Sequence, residues 1–465
     1  HYENSFAPTI AAASFRLFLI TALQLGLTCM HIDVSAAFLN SDCKFENFCR
    51  LPPGVLFQGQ SVVKMIKNIY GTHDAAIGWY DDQHALLLKL IPGIRRSTAE
   101  PCYYSLYTEH LTILIVVSVD DYAVAHNNND WYLEFFNRYH AVYPSRDLGR
   151  LNLYLGIHLV WATDGNSVFI TQERAVHDSL TRHGLADANT ASTPMDTTFD
   201  FAPVPADNVS PTFAYRSCMG DLLWMGRMAF PQILAAVIIL SGYSANFTEK
   251  HVTAIKRVLR YLKGVSKTGL KFTRDPTVKC TKPLLFNIKT YTDADWGACK
   301  VTRRSMTGAI TTVFDNVVTI TCRKQKTVAL STCEAELMAL AEGLKDMISI
   351  RNILMEFADM FPDYITIQRP IPFRTDSISA IFVGENRVNN TRTRHIDFRY
   401  MRIRDEITDE NVTLEHIAGI ENPADLFTKP LARELFARFT AQLNMGIAFP
   451  EEEGNAPAAA DDNDV

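Results

Sequence analysis

Apolar and polar residues alternate along this chain in two distinct periods. Residues 15–27 are apolar at almost every position and end at Gly26, which predicts a helix with a glycine stop. Residues 31–40, HIDVSAAFLN, are apolar and lean towards β-structure. Residues 112–119 are a continuous β-branched run, the mark of a buried strand. Asp120 and Asp121 interrupt that run and residues 122–125 resume it, so strand, turn and strand follow with two carboxylates at the turn. A second hairpin is predicted over 151–161 and 167–171, around Asp164-Gly165. A helix from Gln172 to His183 follows, with Gly184 as its stop.

Residues 192–208 carry Pro194, Pro203 and Pro205 and read as a loop, the first boundary. Residues 209–264 are helical in pattern. Within 250–263, Ile255, Val258, Leu259 and Leu262 share one face, and Lys256, Arg260 and Lys263 line another. The pattern changes again from Leu285. It predicts a strand over 286–292, a hairpin over 307–321, and a helix over 334–357 capped by Ser331-x-x-Glu334. A strand ending at Thr375-Asp376, a strand over 411–417 and a helix over 423–439 complete it. The fold class is α/β (α+β).

Composition adds limits. The chain has 465 residues, enough for about three domains. Hydrophobic residues make up 47% and charged residues 21%, which excludes wholesale disorder. The nine cysteines form no C-x-x-C pair, which removes the zinc-ribbon and thioredoxin signatures and points to a reducing, intracellular setting. The net charge is −6, and residues 451–465 hold six acids and no base. The body is therefore neutral, and the acidity belongs to a tail that is disordered by composition. No apolar run approaches the ~20 residues of a membrane helix, so no membrane partner is expected.

The sharpest chemical signal is Val119-Asp120-Asp121. Two adjacent carboxylates at the end of an apolar strand are costly unless something neutralises them. A divalent cation does so, and Asp33 at the end of another apolar stretch is a third carboxylate for it. A solvated turn is the bland reading of the pair alone.

Here the residues resemble a known family. HIDVSAAFLN (31–40), LPPGV (51–55), IYGTHDAAIGWY (69–80), SVDD (118–121), RDLG (146–149) and YLGI (154–157) look like successive landmarks of copia-type retrotransposon reverse transcriptases. Residues 215–264, ending in RVLRYLKG, resemble the helical region that follows. YTDADW (291–296), RRS (303–305), residues 328–340, 392–397 and 422–431 look like the family's ribonuclease H domain. The match is colinear from His1 to about residue 435.

The resemblance implies a reverse-transcriptase palm with partial fingers over 1–193 and thumb or connection helices over 194–285. It implies a ribonuclease H-like mixed-sheet domain over 286–435 and a C-terminal segment with the acidic tail over 436–465. Asp33, Asp120 and Asp121 would bind the polymerase metals, and Phe38 would lie under the incoming sugar. Asp293, Glu336, Asp376 and Asp425 match the four ribonuclease H carboxylates. Mg²⁺, two per centre, or Mn²⁺ would be the cofactor. RNA template, DNA primer, RNA–DNA hybrid and dNTPs would be the partners, with other polyprotein segments beside them. The family setting is a cytoplasmic virus-like particle with nuclear entry. Lys256, Arg260, Lys263, Arg303, Arg304, Arg392, Arg394 and His395 would contact nucleic acid.

Four departures weigh on polymerisation. Upstream fingers strands are expected to lie outside this chain. Asp74 stands near the nucleotide pocket where the family has Gln, Ser118 replaces the Tyr of YVDD, and Phe230-Pro231-Gln232 replaces RPD. Two further readings therefore stay open: ribonuclease H activity alone on an inactive polymerase platform, and a decayed or domesticated protein that only binds nucleic acid.

Overall fold

The computed structural model describes residues 7–199, 202–205, 207–278, 282–385 and 397–448. The acidic tail, Arg392, Arg394 and His395 lie outside the described residues.

The first sheet has six antiparallel strands in the order Arg95–Arg96, Tyr103–Tyr107, Thr112–Ser118, Asp121–His126, Thr28–Val34, Ser145–Arg150. Alternate side chains leave its two faces, as a strand period of two requires. Ile113, Ile115, Val117, Tyr122 and Val124 pack with Trp79, Leu87, Phe135 and Tyr139 of the helices Ala75–Leu90 and Asn129–His140. Leu114, Val116, Ala123 and Ala125 pack on the opposite side with Phe15 and Phe18 of the helix Ala12–Gln24. Residues 113–117 are apolar throughout because both faces are covered.

A second sheet runs Met445–Ile447, Thr268–Thr273, Ser167–Thr171, Ile157–Trp161, Leu153–Tyr154. It unites strands from either side of the proline-rich loop at 192–208. It also takes in residues 445–447, so the chain beyond residue 435 returns to the body through the helix Arg433–Gln442. The helices Glu173–Arg182, Tyr215–Met228, Leu234–Ser241 and Glu249–Val265 pack around it.

The third sheet runs Asn316–Lys324, Met306–Val313, Ile288–Ala294, Ile371–Thr375, Val412–His416. The first three strands are antiparallel and the last two are parallel to their neighbours. Phe314 and Asp315, both at positive φ, make the two-residue turn of its hairpin. The long helix Thr332–Met360 covers one face, and the helices Ala12–Gln24 and Leu234–Ser241 meet the Asn316–Lys324 strand. The Ala12–Gln24 helix thus touches all three sheets and is buried at 11 of its positions, which is why it shows no polar stripe.

The expected helix over 423–439 is corrected. Pro423–Phe427 is a short 3₁₀ turn, and the α-helix starts anew at Arg433. Pro430 supplies no backbone donor and breaks the helix between them. Among the described residues no helix is long and apolar enough to cross a membrane.

Candidate functional site

Two groups of acids stand at sheet ends. In the first sheet Ser118 pairs with Asp121, so Val119 and Asp120 form a two-residue turn with Val119 at φ 54°. Positive φ is unfavourable for a β-branched residue, and two contacts hold it. Trp79 donates its indole N–H to the Val119 carbonyl at 2.6 Å, and the Val34 amide donates to the Asp120 carbonyl at 2.9 Å. Asp33 lies directly across from Asp121 in the ladder.

Two of these three acids are already engaged. Arg146 donates from Nη2 and Nε to one oxygen of Asp33, at 2.8 and 3.1 Å. His31, buried, lies with Nε2 3.0 Å from Asp121 Oδ1. Burial first, then the charges of Asp121 and Asp33, raise the Asp120 carboxyl above its ordinary value. Phe38 sits in the 3₁₀ turn Ala37–Asn40 with its ring 4.7 Å from that of Tyr70. Burial raises the Tyr70 hydroxyl as well, with Asp120 and Asp33 adding to it. The Phe38–Tyr70 pair therefore adjoins the acids. Asp74 is 1% exposed and takes two hydrogen bonds from the Asn47 amide, each 3.0 Å.

The second group gathers more closely. Among the described residues, the carboxylates that come within 4.8 Å of one another as a potential metal-holding set are Asp293, Glu336 and Asp376. Asp33, Asp120 and Asp121 do not form such a set among the described residues. Asp293 is near the end of the central strand Ile288–Ala294. Glu336 is in the first turns of the long helix, whose N-cap Ser331 accepts from the Glu334 amide. Asp376 follows the strand Ile371–Thr375. Asp425 is on the Pro423–Phe427 turn, anchored by Asn422, whose amide donates to the Thr292 carbonyl at 2.9 Å.

Electrostatic cost is concentrated here. Glu336 is pushed up to about 9 by burial, then by Asp293 and Asp376. Asp293 is pushed up to about 7 by burial and then Asp425. Asp376 is raised by burial and Asp293. Neighbouring Asp295 rises to about 6 through burial, although it accepts from the Met306 amide at 2.8 Å. Among the described residues, one buried oxygen of Glu336 and one of Asp425 have no hydrogen-bond partner. Lys429 approaches Asp425 at 3.0 Å. Burial works to lower the lysine, but Asp293, Asp425 and Asp376 together raise it. The Thr428 hydroxyl donates to Asp293. Asp425 lies outside the gathered set of three, and the close approach of Asp293, Glu336 and Asp376 with a spare Glu336 oxygen is what a divalent cation satisfies, so the donor set fits one.

The basic residues divide. Arg303 and Arg304 are exposed on the loop between Ala294 and Met306, at the sheet end that carries Asp293. Of the stripe on the Glu249–Val265 helix, Lys256 alone is fully exposed. Arg260 donates to the carbonyls of Asn189 and Thr190, and Lys263 to those of Ala186 and Ala188. The open stripe expected from sequence is corrected: two of its three cations donate to backbone carbonyls of the 186–190 loop.

Sequence reasoning missed His31, Tyr70, Arg146, Thr428 and Lys429 as contributors. His31 stands two residues before Asp33, where strand alternation puts both on one face. Lys429 stands four residues after Asp425. Tyr70 and Arg146 belong to quoted segments but carried no role.

Comparisons with known proteins identify the reverse-transcriptase part of the chain and extend the similarity along most of its length. A family model described as reverse transcriptase (RNA-dependent DNA polymerase) matches residues 1–197. The retrovirus-related Pol polyprotein from transposon TNT 1-94 of Nicotiana tabacum is 28% identical over 444 residues, 94% of this chain and 32% of that protein. The Pol polyprotein from transposon RE1 of Arabidopsis thaliana is 26% identical over 446 residues, 96% of this chain and 29% of that protein. The chain thus spans about a third of the length of the curated relatives it matches. With the polymerase landmarks colinear along the first sheet and the similarity continuing through the third, the chain belongs to the copia-type retrotransposon Pol polyproteins and carries their reverse-transcriptase region.

Proposed function

We propose that this chain couples RNA-directed DNA synthesis at Asp33, Asp120 and Asp121 to hydrolysis of the RNA strand of an RNA–DNA hybrid at Asp293, Glu336, Asp376 and Asp425. The observation that carries the hydrolytic half is the gathering of Asp293, Glu336 and Asp376 within 4.8 Å, with a buried Glu336 oxygen unpaired among the described residues. Divalent cations, Mg²⁺ or Mn²⁺, would be held by those acids and Asp425. When bound, they supply Lewis-acid polarisation of the phosphodiester and a nucleophile at neutral pH.

The chain's own residues prepare that chemistry. The Thr428 hydroxyl and Asn422 fix the orientations of Asp293 and of the Asp425 turn. Lys429 supplies a cation beside Asp425 that offsets the clustered negative charge. Arg303 and Arg304 flank the site, where a hybrid's phosphates would find exposed cations. In the synthetic half, a primer 3′-hydroxyl would attack the α-phosphate of a dNTP, losing its proton and displacing pyrophosphate, with the Phe38–Tyr70 pair beside the sugar. RNA template, DNA primer, hybrid and dNTPs are the partners this reading requires.

A second reading keeps hydrolysis and leaves polymerisation silent. The Arg146 guanidinium on Asp33 favours it, because it occupies an oxygen that a metal would need.

One assay separates the two. A hybrid labelled on both the DNA primer and the RNA template is incubated with the protein, Mg²⁺ and dNTPs, beside Asp120→Asn and Glu336→Gln. Primer extension lost in the first variant and RNA shortening lost in the second supports the coupled function. RNA shortening without extension supports the second reading. Neither activity in the native chain refutes both.

A further inference from the structure

A cavity of about 280 Å³ opens between the Ile157–Trp161 strand and the helices Glu173–Arg182 and Tyr215–Met228. None of the acids of the two clusters lines it. Gln172 lines it and is 1% exposed, yet neither its amide oxygen nor its amide nitrogen has a partner among the described residues. It stands at the N-cap of the Glu173–Arg182 helix, and its side chain does not cap that helix. A buried amide unpaired at both ends is costly and uncommon, and it asks what group would complete it.

The rest of the lining narrows the answer. Trp224 is partly exposed in the wall, and its indole lies against Gly156, where a Cβ would come to 3.5 Å from the ring. Gly156 has φ +73°, so the glycine serves both the turn and the close approach. Arg182 is paired with Asp221, and Arg174 lies 3.9 Å from Asp178. His158 also lines the cavity, and both arginines in the wall lie beside a carboxylate, so the site is poorly suited to a bare phosphate. It suits a neutral, flat group with a polar edge.

We propose that this cavity binds an unpaired nucleobase, with its ring on Trp224 and its edge on the Gln172 amide. An amide presents a donor and an acceptor side by side, and a base edge such as that of adenine presents the same pair in reverse order. Stacking on an indole is the common means of holding a base that has left a duplex. The inference goes beyond the function proposed above and rests on it only for the source of the base, a single-stranded stretch of template or primer.

The full chain is titrated with adenosine monophosphate, with purine riboside monophosphate, which lacks the amino donor, and with a short deoxyadenosine oligomer. Tryptophan emission and ligand saturation-transfer NMR report binding. The native chain is expected to bind the adenine ligand about three- to tenfold more tightly than the purine one, the usual worth of one hydrogen bond. Gln172→Met keeps the volume, erases that preference and leaves the thermal midpoint equal or higher, because it removes an unpaired amide. Trp224→Ala weakens both ligands. Binding of the oligomer alone assigns the base to a strand, and binding of the mononucleotide too assigns the site to the base itself. No binding, equal affinity for the two purines, or adenine binding unaltered in both variants overturns the proposal. Hybrid cleavage is measured on the same preparation. Cleavage without purine discrimination sinks the cavity alone, and base binding without cleavage sinks the hydrolytic reading alone.

Discussion

Glu336 concentrates the electrostatic cost of the proposed hydrolytic centre in one side chain. Burial, then Asp293 and Asp376, carry its carboxyl from an ordinary 4.5 to about 9. Between those values the folded chain keeps a proton that the unfolded chain has released, so this group's contribution to stability falls as pH rises through the window. Glu336→Gln keeps the shape and removes the titration. In metal-free buffer the variant is expected to melt above the native chain, with a gap that widens from roughly pH 5 to about pH 9. A gap that stays constant across that range would mean that Glu336 does not carry the shift. Added Mn²⁺ should raise the native midpoint and leave the variant nearly unmoved. The four acids were each visible in the sequence as the ends of predicted elements. Their mutual approach was not, because spacing along the chain says nothing of which sheet ends converge. The roles of Lys429 and Thr428 were hidden for a further reason: the single helix predicted over 423–439 gives no warning of the 3₁₀ turn and proline break around them.

At the level of elements, two glycines let chain segments come close to one another beside the Asp293 cluster. Gly308 lies opposite Asp293 in the ladder, and a Cβ there would stand 2.5 Å from the Ala424 carbonyl, on the turn that carries Asp425. A Cβ on Gly343 of the long helix would stand 2.6 Å from Thr292 Cγ2. Backbone oxygen cannot retreat as a flexible side chain can, so Gly308→Ala must push the Pro423–Phe427 turn away from the strand. Overpacking of this kind costs about 1–3 kcal/mol. The expected result is a lower midpoint in chemical denaturation together with loss of RNA cleavage, while primer extension, if the native chain shows it, persists. Equal loss of both activities would place the damage in global folding and not in the turn. Strands and helices with a clean period were legible: 112–118, 167–171 and the capped helix at 332 stand close to their sequence readings. The helices Ala75–Leu90 and Asn129–His140 were not read, since each mixes aromatic, polar and apolar residues without an evident stop. The strand Thr268–Thr273 was not read either, because its partners are 100 residues upstream and at 445–447.

For the molecule as a whole, the question is what ties the first sheet to the third, since no periodicity in either announces the other. The long helix reaches across. Its Glu356 accepts from the amides of Thr98 and Ala99 and from the hydroxyls of Ser97 and Thr98. Its Phe357 meets Tyr103 edge to face at 5.1 Å. Arg16 is the deeper tie. It is 4% exposed inside the Ala12–Gln24 helix and donates to the carbonyls of Val318, Arg227 and Met228, which belong to the third sheet and to the helix Tyr215–Met228. Burial lowers its guanidinium to about 10, so it stays charged at neutral pH and is satisfied by carbonyl dipoles. An arginine in an otherwise apolar helix looked like an interruption in the sequence, and the fold uses it as the joint between three parts. Arg16→Met keeps most of the volume and removes every donor. Leaving these carbonyls without it should cost about 3 kcal/mol or more, near the top of single-residue effects. If Arg16 is what makes the parts unfold together, the native chain should show one denaturation transition and the variant two, with the earlier one silencing whichever centre lies in the part that opens first. Arg16→Lys, with one ammonium in place of the fork, should fall between them. A variant that unfolds in a single transition at the native midpoint would show that the apolar seam at Tyr103 and Phe357 carries the coupling by itself.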